Sequence, residues 1–321
     1  MENYFALSHS LAIKIAYRAF DLYFYIRSLV LATSRYWFPV SHLPAKKRFM
    51  LRIVVLSIFI CVSNAAFSQI SVQKVFGQKM ELPDNRDIGT QVLRMSESFM
   101  GTPYVAATLE GNPSEKLVCK FDGLDCTTLV ESSIALAVAK AENPSFEGYK
   151  NELTKLRYRD GVIDGYASRL HYVLDWVYEN QKRGRLEDIT AKVGGIPFKK
   201  QINFMTNHAN LYPALSETEE WEKLKEQESI INTRDHHYIP KAGIQKAEPM
   251  LHDGDIVAFT SSVEGLDVNH MGIISKIGSR AYLVHASLSG KKVIMSSVPL
   301  AEYVASVSKH TGMIVARLND I

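Results

Sequence analysis

Cys126 has the clearest chemical potential in this 321-residue chain, because the sequence predicts that it lies in the first turn of a helix. Asp125 before it is a favourable helix N-cap. Residues at helical spacing then form a stripe predicted to face the interior: Cys126, Leu129, Val130, Ser133, Ile134, Ala137 and Val138. Backbone N–H groups and the dipole at a helix start favour the thiolate, the reactive form of cysteine. The alternative is a buried and inert thiol.

Two histidines 140 residues downstream are candidates to serve that thiol. His270 and His285 flank a β-hairpin whose turn the sequence places at Gly278–Ser279. In that register His285 faces Gly272, and both imidazoles project from one face as diagonal neighbours, about 7 Å apart. A turn one residue longer would put them on opposite faces.

A cysteine helix packed on that face predicts a thiol hydrolase. Cys126 would be the nucleophile, His270 the base, and His285 the group that orients the base. For either histidine alone, a structural or solvent-facing role is the default. The same default applies to the other histidines of the mature part: His171, His208, His236, His237, His252 and His310.

Two alternatives use the same residues differently. Asp267, His270 and His285 together offer the ligands of a catalytic zinc site, although Asp267 lies at an odd offset from His270 and would point away along a strand. In an oxidising compartment, Cys119 and Cys126 could instead pair as a disulfide.

The N-terminal region carries the pattern of a secretory signal peptide at residues 50–68. Basic residues precede the apolar run 53–62, and Ala66-Phe67-Ser68 forms a small-x-small exit before Gln69. We expect translation to begin at Met50, with 1–49 as an upstream extension. The alternative is an amphipathic arm at 7–31 that lies on or in a membrane.

Cleavage after Ser68 would change the charge of the chain. The full sequence has a formal charge of +3, but residues 1–68 hold eight Lys/Arg and two Asp/Glu, which leaves 29 basic and 32 acidic residues and a charge of −3. This balance gives no case for nucleic-acid binding. We expect a periplasmic or secreted protein without stable membrane insertion after processing.

The element pattern predicts an α+β fold. Residues 69–250 are mainly helical, with helices expected at 87–100, 153–159, 166–180 and 221–231. Residues 251–321 are β-rich, and the short strands expected there would form a small antiparallel sheet.

Several motifs resemble, in order and spacing, those of the NlpC/P60 cysteine peptidases, and more closely the DUF1460 branch. The shared motifs are Gly101-Thr102-Pro103-Tyr104, Leu124-Asp125-Cys126-Thr127-Thr128, Arg157-Tyr158-Arg159, Ser168-Arg169-Leu170-His171-Tyr172, Trp176, Gly254-Asp255-Ile256, Gly265-Leu266-Asp267-Val268-Asn269-His270, Met271-Gly272-Ile273-Ile274 and Val284-His285-Ala286-Ser287. The resemblance spans about residues 87–318. It implies a papain-like core, with a helical front lobe that carries the nucleophile and a β-sheet or barrel lobe that carries the histidines.

The resemblance also implies an activity and a set of residues. Family members are N-acetylmuramoyl-L-alanine amidases, which cut peptidoglycan fragments between the lactyl group of MurNAc and L-alanine, without a cofactor. Cys126, His270 and His285 match the catalytic positions, and Tyr104 would lie beside the thiol to bind the oxyanion or position the substrate. The candidates for substrate binding are Arg169, His171, Tyr172, Trp176 and Asp267, although Trp176 also fits the apolar stripe of its helix.

Three other functions remain open from the sequence. The same catalytic trio would serve an endopeptidase that cleaves γ-D-glutamyl-diaminopimelate. A wall-binding module without catalysis would leave Cys126 merely buried. A glycosidase is the weakest alternative, because no pair of carboxylates can be placed across a cleft.

Overall fold

The computed structural model describes residues 72–85, 87–112 and 114–320, which belong to one compact unit, Gln69–Ile321. The signal peptide and the extension predicted for residues 1–68 lie outside the described residues. Within the described part, no helix has the length and apolar character needed to cross a membrane.

Helices dominate the first part of the described chain. Residues 72–80 are helical. The α-helices that follow are α1 (Ile88–Glu97), α2 (Cys126–Glu142), α3 (Phe146–Arg157), α4 (Val173–Lys182), α5 (Phe204–Asn207), α6 (Thr218–Asn232), α7 (Ile244–Ala247) and α8 (Leu300–Ser306). Short 3₁₀ turns connect several of them.

One antiparallel sheet contains the strands of the described residues. The strands are β1 (Leu186–Asp188), β2 (Ile196–Pro197), β3 (His237–Pro240), β4 (Ile256–Ser261), β5 (Val268–Ile277), β6 (Arg280–Ser287), β7 (Lys292–Met295) and β8 (His310–Leu318). Their order is β2-β3-β8-β4-β5-β6-β7, and β1 also pairs with β8. The α+β class predicted from the sequence is confirmed, and the sheet also recruits three short strands that precede residue 251.

The sheet separates two apolar cores, because successive side chains of a strand point to opposite faces. The first core holds α1, α2 and α3 against one face; its strand residues include Ile256, Ala258, Met271, Ile273, Val284 and Ala286. The second core holds α7 and α8 against the other face; its strand residues include Val257, Phe259, Ile274, Leu283, Met313 and Val315.

Helix α2 is buried on every side rather than along one stripe. Every residue from Thr128 to Ala139 is buried, including Glu131. The polar Glu131 is tolerated because its carboxylate pairs with Arg157 at 2.7 Å, and both side chains are only 2% exposed. The helix therefore provides a rigid central support for the residue at its N-terminus.

The predicted helix over 166–180 is only partly correct, because α4 begins at Val173. Arg169 is extended and forms an isolated bridge with Tyr158, and the Leu170 N–H donates to the Arg157 carbonyl. The Asp267 carboxylate then accepts from the Leu174 N–H. Because these residues pair with distant parts of the chain, the helix starts about two turns later than predicted.

The pairing of strands β5 and β6 stops at one end, where the candidate site lies. The two strands pair from Ile277–Arg280 to Ile273–Val284. Beyond that point residues 268–272 pair with β4, whereas residues 285–287 pair with β7. We call this unpaired end, which consists of 268–272 of β5 and 285–287 of β6, the fork.

Candidate active site

His270 and His285 meet at the fork. The hairpin has the register predicted from the sequence, since Ile277 pairs with Arg280 and Ile273 with Val284. The Nε2 atom of His270 lies 2.7 Å from Nδ1 of His285, and the two rings are perpendicular at 5.0 Å. A Cβ at Gly272 would lie 3.1 Å from the His285 Cβ, so glycine leaves room for the pair. His270 is partly exposed, whereas His285 is buried.

The prediction that the cysteine helix packs on the histidine face is wrong. His270 stacks on Phe259 of the second core, whereas Cys126 packs with the first core, on the other side of the sheet. At the fork β5 and β6 no longer pair, and the start of α2 is joined to it by the hydrogen bond between the Cys126 sulfur and the Met271 backbone.

Several contacts place the Cys126 thiol at the fork. The backbone of Met271, next to His270, hydrogen-bonds with the sulfur, as do the backbone and hydroxyl of Thr127. Two tyrosines, Tyr104 and Tyr303, lie close enough for the charge of Cys126 to raise their pKa values. The residue remains partly exposed, so a substrate can reach it.

The first turn of α2 is fixed by a reciprocal cap. The Asp125 carboxylate accepts from the Thr128 N–H at 2.8 Å, and the Thr128 hydroxyl accepts from the Asp125 N–H at 2.9 Å. This is the capping-box arrangement, and it confirms the helix start predicted from the sequence. The cap also places a carboxylate directly before the thiol.

That environment contradicts the expectation of a resting thiolate. Burial, followed by the nearby Asp125 carboxylate, raises the pKa of the Cys126 thiol to about 11. Hydrogen bonds from Met271 and Thr127 act in the opposite direction but are weaker. The helix dipole is thus outweighed, and the thiol is protonated at neutral pH.

Both imidazoles are neutral under the same conditions. Burial lowers the pKa of His270 to about 3, with smaller contributions from His285 and His310, and burial lowers that of His285 to about 4. In the tautomer in which Nε2 of His270 donates to Nδ1 of His285, the Nδ1 lone pair of His270 is left to accept a proton. A neutral acceptor therefore accompanies a neutral thiol.

Comparisons with known proteins identify the family of the chain. Residues 94–313 match the family described as AmiA-like, N-acetylmuramoyl-L-alanine amidase-like. The chain belongs to this amidase-like family.

Solved structures extend the comparison. An N-acetylmuramoyl-L-alanine amidase from Bacteroides uniformis is 39% identical, with a TM-score of 0.69 over 72% of this chain and 99% of that one. A Bacteroides fragilis protein with a provisional xylanase name is 35% identical, with a TM-score of 0.64 over 70% and 99%. The DUF1460 protein LPG0564 of Legionella pneumophila is 22% identical, with a TM-score of 0.60 over 79% and 95%, which shows the shared fold. A comparison with curated proteins gives no match.

Tyr104 of this amidase-like chain lies where the sequence places it, beside the thiol. It bridges to Leu124, and its N–H donates to the Lys291 carbonyl, so both the segment before Cys126 and the β6–β7 turn hold it. Burial, followed by the charges of Cys126 and Asp125, raises its pKa. Tyr104 is therefore a protonated phenol next to the sulfur.

Three residues near the histidines were not identified from the sequence. The His310 ring is parallel to His270 at 6.3 Å, Phe259 stacks on both, and the Tyr303 ring is 5.1 Å from His285. Phe259 could have been identified from the sequence, because it pairs with His270 across β4 and β5. Tyr303 and His310 depend on the packing of α8 and β8 over the sheet, and local sequence carries no signal for that.

Arg169 and His171 lie in a separate cluster. Arg169 is buried, pairs with Glu110 and Glu115 at 3.0 and 3.3 Å, and lies over the Tyr166 ring. A ring nitrogen of His171 contacts the Tyr166 carbonyl at 2.8 Å, and burial lowers the pKa of His171 to about 3. Glu110 is 39% exposed, so this cluster retains one accessible edge.

The remaining candidates for substrate binding occupy the interior. The Tyr172 hydroxyl donates to Glu228 and accepts from the Met205 N–H, and Trp176 is 2% exposed within the first core. Asp267 is buried and accepts from the N–H groups of Leu174 and Val268. These are positions of side chains that support the fold, and none presents a surface to a sugar ring.

The two alternative uses of the catalytic residues find no support in the geometry. Cys119 and Cys126 are both free thiols, so they form no disulfide. Asp267 is engaged at the start of α4, away from the histidine pair. In the described part of the chain, no three His, Cys, Asp or Glu side chains converge as a metal site would require.

Proposed function

We propose that this protein is an exported cysteine amidase of the NlpC/P60 superfamily, with a papain-like core, that hydrolyses the bond between the lactyl group of MurNAc and L-alanine in peptidoglycan fragments. The observation that carries the mechanism is the 2.7 Å contact between His270 and His285 at the fork, with the adjacent Met271 backbone bonded to the Cys126 sulfur. Membership of the amidase-like family supports the substrate class.

The reaction begins with a neutral Cys126 thiol and a neutral His270 imidazole. The Cys126 sulfur forms a bond with the lactyl carbonyl carbon while the thiol proton passes to Nδ1 of His270, and the carbonyl π electrons move to the oxygen. His285, whose Nδ1 accepts from His270, stabilises the imidazolium that forms. Backbone N–H groups at the start of α2, together with Tyr104, hydrogen-bond to the oxyanion.

Collapse of this intermediate releases the peptide. The C–N bond breaks as His270 returns its proton to the departing L-alanine amine, which leaves a thioester between Cys126 and the sugar's lactyl group. Water, deprotonated by His270, then attacks the thioester, and the thiol is regenerated. No metal ion or organic cofactor takes part in this scheme.

Export is a second part of the proposal. The signal-peptide pattern at residues 50–68 supports delivery to the periplasm or the exterior, where peptidoglycan fragments occur. In this proposal residues 1–49 are an upstream extension, 69–250 form the mainly helical lobe, and 251–321 form the β-rich lobe. In this proposal the processed protein has no stable membrane insertion and binds no nucleic acid.

The polar groups at the fork argue against a glycosidase, despite the xylanase name of one similar structure. Glycoside hydrolysis normally uses two carboxyl groups across a cleft. The fork instead presents a thiol, two imidazoles and two phenols. The nearest carboxylate, Asp125, already caps α2.

Product masses from a defined muropeptide test the proposal. We expect an intact stem peptide and a free sugar acid, whereas an endopeptidase would leave a dipeptide on the sugar. Cys126→Ala should lower kcat at least about 10⁴-fold. Cys119→Ala is the matched control and should be unaffected. Activity retained by Cys126→Ala but lost in EDTA would refute the thiol mechanism.

A further inference from the structure

Tyr303 lies at the fork, and its hydroxyl makes no hydrogen bond with the described residues. Its ring is edge-on to His285 at 5.1 Å, 6.5 Å from His270 and 5.7 Å from Phe259, which fixes the ring plane. It is carried by α8, which begins directly after Pro299 and packs on the second core. The ring is therefore held on the histidine side of the sheet.

The Tyr303 hydroxyl differs from those of the buried tyrosines. Tyr158 donates to Glu115, and Tyr172 donates to Glu228. The hydrogen bonds of Tyr303 with described residues are those of its backbone, to the Pro299 carbonyl and from the Ser306 hydroxyl. The residue is partly exposed, and its O–H makes no hydrogen bond with the described residues.

A negative charge on the Cys126 sulfur would act on that hydroxyl. Burial, and to a smaller extent that charge, raises the pKa of Tyr303 to about 12. The phenol thus keeps its proton at neutral pH. Tyr104 packs with the first core and Tyr303 with the second, so the thiol has a phenol on each side of the sheet.

We propose that Tyr303 is a catalytic residue whose hydroxyl donates a hydrogen bond to the carbonyl oxygen of the scissile amide. This inference rests on the proposed thiol amidase function. As the carbon–sulfur bond forms, the carbonyl π electrons move to oxygen, and the hydrogen bond from Tyr303 strengthens without transfer of its proton. Because the charge exists only after attack, the bond stabilises the transition state more than the bound substrate.

Tyr303→Phe tests this role, since it removes the hydroxyl and keeps the ring against His285. We expect kcat to fall about 100-fold, with KM within about threefold and the rate of Cys126 alkylation by iodoacetamide within about twofold of the parent. Tyr282→Phe is the matched control and should keep full activity; Tyr282 pairs with Ser275 in the closed part of the hairpin. Tyr303→Leu should lose both turnover and normal alkylation.

Other results would overturn the assignment. A Tyr303→Phe variant with parental kcat would show that the hydroxyl does not act on the substrate. A variant that loses kcat and alkylation together, or fails to fold, would show that the hydroxyl supports only the structure. Cys126→Ala in the same assay distinguishes failure of the proposed thiol mechanism from failure of the Tyr303 assignment. If Cys126→Ala remains active, the thiol mechanism itself is wrong. If Cys126→Ala is inactive and Tyr303→Phe is fully active, only the role of Tyr303 is rejected.

Discussion

Two parts of the molecule are dense in polar side chains, the fork and the segment 157–176, and they differ in how those side chains are partnered. In segment 157–176, Arg157 pairs with Glu131, Arg159 with Asp175, and Tyr172 with Glu228. At the fork, Tyr104, Tyr303 and Cys126 are each partly exposed and lie near the histidine pair.

The difference shows that motifs shared with one family can serve either the fold or the candidate site. Both parts contribute motifs to the family resemblance, but side chains whose charges and hydroxyls are paired inside the protein have little to offer a substrate. At the fork, the thiol of Cys126 is partly exposed, and we take this difference to mark the candidate site. Segment 157–176 therefore supports the fork: it braces α2, which carries Cys126, and Asp267 links α4 to the strand that carries His270.

Among the variants that keep Cys126, removal of the base should produce the largest effect. We expect His270→Gln to lower kcat about 10³-fold, because the neutral imidazole is the only proton acceptor proposed for the thiol. His285→Gln should cost less, about 10- to 100-fold, since it removes the partner of the base and not the base itself. Steady-state kinetics on a muropeptide measures both, and equal losses would contradict these separate roles. His252→Gln, remote from the fork, is the control.

Breaking the buried ion pair should mainly affect stability. Glu131→Ala leaves the Arg157 charge buried without its partner, and we expect a loss of about 3 kcal/mol in the free energy of unfolding. The control is Glu142→Ala, since Glu142 pairs with Arg185 while 49% exposed, and it should cost less than about 1 kcal/mol. Urea denaturation gives both values. Similar losses in the two variants would mean that the burial of the pair has no energetic consequence.

The raised thiol pKa predicts the pH dependence of alkylation. Because the folded pKa of Cys126 is about 11, the thiolate fraction increases tenfold per pH unit well below that value. We expect the rate of reaction with iodoacetamide to rise about 100-fold between pH 7 and pH 9. A rate that is already constant near pH 6 would indicate a preformed thiolate–imidazolium pair instead.

The smallest effect should come from the paired tyrosine. Tyr172→Phe removes two hydrogen bonds in the interior, and we expect a loss of about 1–2 kcal/mol in stability with KM unchanged within about twofold. A tenfold increase in KM with normal stability would instead place Tyr172 in contact with substrate. Thermal unfolding and kinetics on one preparation distinguish these results.

The sequence predicts the local elements of the site well. Asp125 marks the start of α2, and the Gly278–Ser279 turn sets the hairpin register, which in turn places His270 and His285 together. Both are properties of a few adjacent residues, governed by capping and by turn length. The order of the motifs also identifies the family.

What the sequence could not show depends on contacts between distant segments. The face on which α2 packs follows from where β5 and β6 stop pairing, and this depends on β4 and β7. The thiol pKa follows from burial that no local pattern reports, and Tyr303 and His310 reach the site only through tertiary packing. Tyr172 and Trp176 were expected to bind a sugar because they belong to the shared motifs, but tertiary packing places both in the core.

The acyl-enzyme intermediate tests the central claim, that the Cys126 thiol at the fork attacks the lactyl carbonyl, most directly. The protein is mixed with a muropeptide and quenched in acid within the first turnover. It is then digested, and the masses of its peptides are measured by mass spectrometry. We predict a thioester on the peptide containing Cys126 whose added mass equals the MurNAc lactyl acyl group, absent from Cys126→Ala. An added mass that includes L-alanine and D-glutamate, or full turnover by Cys126→Ala, would contradict the account.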